Sequence, residues 1–177
     1  MCGIVGLYLK NKALESQLGA LFEPMLIAMT DRGPDSAGFA IYGDEVADNS
    51  IKLTLRHADE NYDWAALAEK AQIELSTGVE WFKNSKVAVF KIQTSAAVAE
   101  AFVAKAAPDV LILSAGQSIE ILKEVGLPVN IAETFNLKGM KGSHIIGHTR
   151  MATESAVTME GSQPFSTGMD LCLVHNG

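Results

Sequence analysis

The sequence predicts an α+β fold. Three features point there: short apolar runs rich in β-branched residues, stretches whose apolar positions recur at helical spacing, and clusters of turn formers between them. Residues 2–9 are the first apolar run and read as a strand. Leu14, Leu18, Leu21, Phe22, Met25, Leu26 and Met29 then repeat at three- and four-residue intervals, which predicts a helix over residues 14–29. Residues 30–35, Thr-Asp-Arg-Gly-Pro-Asp, are a polar loop, and residues 37–42 resume as an apolar strand.

From residue 45 to about residue 139 the texture changes. Strands are expected over residues 51–57, 86–92, 110–114 and 129–133, and helices over residues 63–75, 95–107 and 117–125. Such alternation predicts an α/β insertion with some parallel strand pairing. Asp63 and Ser95 stand where helix N-caps belong, each offering an oxygen to unpaired amides of the first turn. Gly126 and Pro128 read as the stop of the third helix. After a glycine-rich link at residues 138–143, strands are expected over residues 144–151 and, past a polar loop, over residues 169–174, the last of them buried. A chain that stops just after a buried strand leaves that strand's neighbours unaccounted for, so the sequence reads as a fragment of a longer domain.

The 177 residues are enough for one sizeable core, and a composition 48% hydrophobic and 20% charged is that of a folded protein. A net charge of −7 disfavours nonspecific nucleic-acid binding, which needs a basic surface to neutralise phosphates. No stretch approaches the about 18 uninterrupted apolar residues of a membrane helix. The start MCGIVGLYLK has no basic segment ahead of its apolar run, so no secretory signal is expected and the default compartment is the cytosol. Two cysteines, Cys2 and Cys172, make no disulfide framework. One is read as reactive, and Cys172, inside the run Leu-Cys-Leu-Val, as a small buried hydrophobe.

Position 2 carries the chemistry. Removal of an initiator Met before a small residue gives Cys2 a free α-amino group beside its own thiol, and both types of group titrate within about two units of neutrality. Nucleophile and base then share one residue, the logic of N-terminal nucleophiles. Four segments accompany it in order: Cys2-Gly3-Ile4-Val5-Gly6, Arg32-Gly33-Pro34-Asp35-Ser36-Ala37-Gly38, Gly147-His148-Thr149-Arg150-Met151-Ala152-Thr153 and His175-Asn176-Gly177. Together they resemble the ordered motifs of class II glutamine amidotransferases. The resemblance covers residues 1–44 and 140–177 and implies an N-terminal nucleophile hydrolase-like αββα sandwich, incomplete at its C-terminus, with residues 45–139 inserted.

The resemblance also implies roles. Cys2 attacks the side-chain amide of glutamine and its amine carries the proton to departing ammonia. Asn176, through its side-chain amide, and Gly177, through its backbone N–H, form the oxyanion hole. Arg150 holds the α-carboxylate of glutamine, Thr153 adds a hydroxyl contact, and Arg32 shapes the site. Two departures stand out. Glu154 occupies a position where several family members have histidine, and no residue follows Gly177 to supply the aspartate that the family uses for the glutamine amino group. Ser162-Gln163-Pro164-Phe165 most closely resembles the glutamate-synthase-like branch. The long insertion and Thr30-Asp31-Arg32-Gly33-Pro34-Asp35-Ser36-Ala37-Gly38 resemble the separate amidotransferase subunits of glutamate-synthase-like or N-methylglutamate-synthase-like enzymes, which implies that ammonia passes to a synthase partner; flavin or iron-sulfur centres would belong to that partner, and no cofactor is expected in this chain.

Two other readings compete. One is a noncatalytic regulatory or scaffolding subunit, which a retained Met1 would favour because a blocked amine is no base. The other is a zinc-binding structural domain, from the spacings of His144 with His148 and Cys172 with His175. Both stretches read as buried strands and not as the turns that usually bring close ligands together, and Cys172 and His175, three apart, would face opposite sides; no metal is expected.

Overall fold

The computed structural model describes residues 2–152 and 156–176. The fold is α+β with antiparallel sheets, and the chain divides into two compact units, one of Met1–Asp44, Ile121–Thr167 and Cys172–Gly177, the other of Glu45–Glu120 and Gly168–Leu171.

The first unit is built on a four-stranded sheet of β1 (Gly3–Tyr8), β2 (Ser36–Tyr42), β7 (Ile119–Val125) and β8 (His144–Arg150), in the order β1-β8-β2-β7. β8 is central and runs antiparallel to both neighbours, with Gly3 opposite Thr149 on one side and Ser36 opposite Arg150 on the other. One face of this sheet carries α1 (Leu18–Ile27). Leu18, Phe22 and Leu26, one helical turn apart, are fully buried. Gly147 leaves room for them: a Cβ there would stand 2.8 Å from Cζ of Phe22 and 3.0 Å from Cδ1 of Leu26. Burying each such side chain stabilises the unit by about 1.5–3 kcal/mol. The helix expected over residues 14–29 is thus shorter, because a 3-10 helix, Lys12–Gln17, precedes α1 and Asn11 caps it by accepting from the Ala13 N–H.

Residues 117–134 reverse the expected order. β7 occupies the segment expected to be helical, and α4 (Pro128–Thr134) the segment expected to be a strand. Gly126, at φ 130°, makes the turn between them. Pro128 starts a helix here rather than stopping one, since its missing N–H falls on a first-turn amide that has no helical acceptor. Phe135, just past α4, meets Phe39 of β2 edge-on at 6.3 Å.

The second unit has the sheet order β4-β5-β3-β6, from β3 (Ile51–Arg56), β4 (Val79–Asn84), β5 (Val87–Ile92) and β6 (Leu111–Gly116). Its pairings are antiparallel, which replaces the expected parallel pairing. The cause lies in β4, an edge strand absent from the expected elements, which forms a hairpin with β5. Its VEWFKN is mostly exposed and polar enough to pass for a loop. Helices α2 (Trp64–Leu75) and α3 (Ala96–Ala106) pack on the core of Ile51, Leu53, Leu55, Phe90 and Ile92. The other face of β3 carries Lys52, only 2% exposed, whose Nζ donates to Glu120 at 3.1 Å and to the Ser118 carbonyl at 3.2 Å.

The strand expected over residues 169–174 is instead the second arm of a hairpin, β9 (Phe165–Gly168) with β10 (Leu171–Leu173). It is not buried: Leu171 is 59% and Leu173 53% exposed. Cys172 is correspondingly half-buried, and the Tyr42 hydroxyl donates to its sulfur at 3.5 Å.

Candidate functional site

The C-terminal end of β8 gathers the sequence-predicted residues within the first unit. Alternation along a strand fixes which face each uses. Thr149 points to the α1 side, where its hydroxyl donates to the Met29 carbonyl at 3.1 Å, and a Cβ on its partner Gly3 would meet the same Met29. Cys2 stands one residue before Gly3, at the start of β1 and beside the end of β8 that carries His148 and Arg150. Ser36, paired with Arg150, shares its face; it is fully buried and its hydroxyl has no partner among the described residues.

The Arg-Gly-Pro-Asp loop is fastened to the same strand end. Arg32 closes a short 3-10 helix, Thr30–Arg32, and is exposed. Gly33 lies so close to the Thr149–Arg150 peptide that a Cβ would collide with it. Its φ of −165° is ordinary extended backbone, so glycine is required here for space and not for a left-handed turn. The Asp35 N–H donates to the Arg150 carbonyl at 3.1 Å, and the Asp35 carboxylate accepts from the Ala152 N–H at 2.8 Å. Arg150 itself is half-buried, and its Nη1 donates to the Ala156 carbonyl at 3.4 Å.

The His-Asn segment reaches the site through His148, which is 0% exposed and whose Nε2 lies 3.1 Å from the His175 carbonyl. A carbonyl only accepts, so Nε2 carries the proton. Burial holds the imidazole below its ordinary 6.5, with the Arg150 charge adding to that and the His175 hydrogen bond opposing it. Gln163 grips the same residue, its Oε1 accepting from the His175 N–H at 2.6 Å and its Nε2 donating to the His175 carbonyl at 3.2 Å. Asn176 follows and is exposed.

Cys2, Arg150, Ser36 and the approach to Asn176 are thus organised around one strand. Arg32 is on the neighbouring loop. Thr153, Glu154 and Gly177, like Met1, lie outside the described residues. The sequence alone assigns no role to the two residues that grip His175: His148 stands in an ordered segment and in the zinc spacing, and Gln163 in the glutamate-synthase-like resemblance. The signal was their place inside two of the quoted segments. Among the described residues no group of three or more His, Cys, Asp or Glu side chains is arranged to hold a metal ion, and no helix is long and apolar enough to cross a membrane. His144, one of the histidines in the zinc-like spacing, stacks on Tyr42 at 4.0 Å and meets the Ser143 hydroxyl at 2.8 Å.

No protein-family model matches the chain. Over its full length it is 52% identical to "Glutamine amidotransferase-like protein GlxB" of Rhizobium meliloti (strain 1021), of which it covers 58%. It is 34% identical, again over its full length, to "Putative glutamine amidotransferase" of Methanothermobacter thermautotrophicus, of which it covers 61%. The chain is therefore similar from end to end to proteins bearing the glutamine amidotransferase name, and spans about three fifths of their length.

Proposed function

We propose that this chain is the glutaminase domain of a class II glutamine amidotransferase, with an N-terminal nucleophile hydrolase core, an insertion within it, and Cys2 as the nucleophile. One observation carries the reading: the strand that pairs with the residue after Cys2 also carries Arg150 and the His148 that bonds His175, so nucleophile, cation and candidate oxyanion loop share one strand end. The likeness along this chain to a protein named glutamine amidotransferase-like and to one named putative glutamine amidotransferase supports it.

In this proposal the α-amine of processed Cys2 accepts the thiol proton, and the thiolate attacks the γ-carboxamide carbon of glutamine. Asn176 and the Gly177 N–H donate to the oxyanion as it forms. The C–N bond breaks as the α-ammonium returns its proton to the leaving nitrogen, releasing ammonia. Water then cleaves the thioester to glutamate, regenerating the thiol. Arg150 clasps the α-carboxylate of glutamine in a two-pronged contact, Thr153 adds a hydroxyl, and Arg32 frames the entrance. Ammonia passes to a synthase partner in the cytosol.

The test uses the full-length protein that carries this chain. Intact mass should show Met1 absent, and glutamine should yield glutamate and ammonia in equal amounts. Cys2→Ala should abolish turnover, Asn176→Ala should lower kcat by about 10²–10³-fold, and Arg150→Lys should act chiefly on KM. Unchanged turnover in Cys2→Ala would refute the mechanism and favour a scaffolding role.

A further inference from the structure

We propose that His148 and Gln163 are positioning residues that hold the His175 main chain from two directions and thereby set where the Asn176 amide points; the inference rests on the glutaminase reading. Three hydrogen bonds converge on one peptide-bearing residue past the end of β10, in a segment whose side chains at 175 and 176 are exposed. Gln163 satisfies both the N–H and the carbonyl of His175, as a neighbouring strand would. His148 adds a second donor to that carbonyl from the sheet itself.

Both grips are anchored. His148 is fully buried in the central strand, opposite Ile4 on one side and Gly38 on the other. Gly38 lies against the Gln163 carbonyl, where a Cβ would collide with it. The residue before Gln163 is tied to the sheet as well, since the buried Lys123 Nζ of β7 donates to the Ser162 carbonyl at 2.6 Å. Asn176 is covalently next to a residue that cannot drift without breaking these bonds. An oxyanion donor acts only when aimed in advance at the place where charge develops, and misplacement by about 1 Å can cost on the order of 10²-fold.

The role predicts loss in the transition state and none in substrate binding. In the full-length protein, His148→Phe and Gln163→Leu should each lower kcat by about 10- to 100-fold while KM for glutamine stays within about twofold. A second readout isolates the oxyanion: glutamate γ-semialdehyde, whose aldehyde carbon adds the Cys2 sulfur as the C=O π bond opens, the thiol proton passing to the α-amine and the resulting alkoxide oxygen occupying the hole. Its Ki should rise with the fall in kcat, while the Ki of glutamate is unchanged. His148→Gln retains an N–H donor near Nε2 and should recover much of the loss. Should His148→Phe fail to fold, Gln163→Leu, at a half-buried position, carries the same test. Variants that keep full kcat and full semialdehyde affinity overturn the inference, as do variants whose KM and glutamate Ki worsen in parallel. A wild-type protein that releases no ammonia from glutamine sinks the glutaminase reading and this inference with it, whereas an active wild type with active variants sinks only the inference.

Discussion

Gly33 shows how much depends on one missing methyl group. It touches the Thr149–Arg150 peptide directly, and Asp35 two residues later bonds both the Arg150 carbonyl and the Ala152 amide. Gly33→Ala should push this loop off β8, costing about 1–3 kcal/mol in chemical denaturation and, on the proposed glutaminase reading, lowering turnover by displacing Arg150. A denaturation midpoint equal to wild type would show that the loop yields freely. In the sequence Gly33 read as a turn former, because spacing cannot distinguish a glycine needed for its backbone angles from one needed for closeness. The roles of Cys2, Arg150 and Asn176 belong to the proposed reading; their place in ordered segments was legible at this scale. The grip of His148 and Gln163 was not, because it joins three positions far apart in the chain through main-chain atoms that carry no residue-type signature.

Helices with clear ends were the most legible elements. Asp63 accepts from the Ala66 N–H at 2.9 Å and Ser95 from the Val98 N–H at 3.4 Å, so both expected caps are in place. Asp63→Ala should destabilise the protein by about 1 kcal/mol, checked by equilibrium denaturation. The sequence Ile119-Glu-Ile-Leu-Lys-Glu-Val125 was not legible, because its apolar residues fit both periods: 119, 122 and 125 for a helix, 119, 121 and 125 for a strand. Tertiary context decides it. In a strand Lys123 points inward, where it meets the Ser162 carbonyl and lies 4.9 Å from the centre of the Phe165 ring. The terminal hairpin misled differently: its apolar letters suggested burial, yet β10 pairs only locally with β9 among the described residues.

At the scale of the whole molecule, acidity should weaken the fold in two separate windows. His148 titrates below its ordinary 6.5 when folded, because burial penalises the cation. The unfolded chain then binds more protons between these values, so stability is intact above about 6.5 and falls as pH drops toward the folded value. Asp170 behaves likewise at lower pH. Burial pushes its carboxyl up, but the N–H groups of Gln117, Ser118 and Ile119 and the Ser118 hydroxyl outweigh this and hold it below 3.8. Its contribution is present above about 3.8 and is lost as pH falls through the folded value. Denaturation curves from neutral to acid should show both losses, with His148→Gln removing the first and Asp170→Asn the second; an unchanged profile in either variant contradicts its assignment. The antiparallel match of Gly3 with Thr149 has a further consequence, concerning time. A nascent chain makes its sulfur first and the strand that must flank it much later, and contacts between such distant stretches form slowly. During synthesis β1 therefore waits without its β8 partner, and the end of β8 beside Cys2 is assembled only after the far segment has emerged.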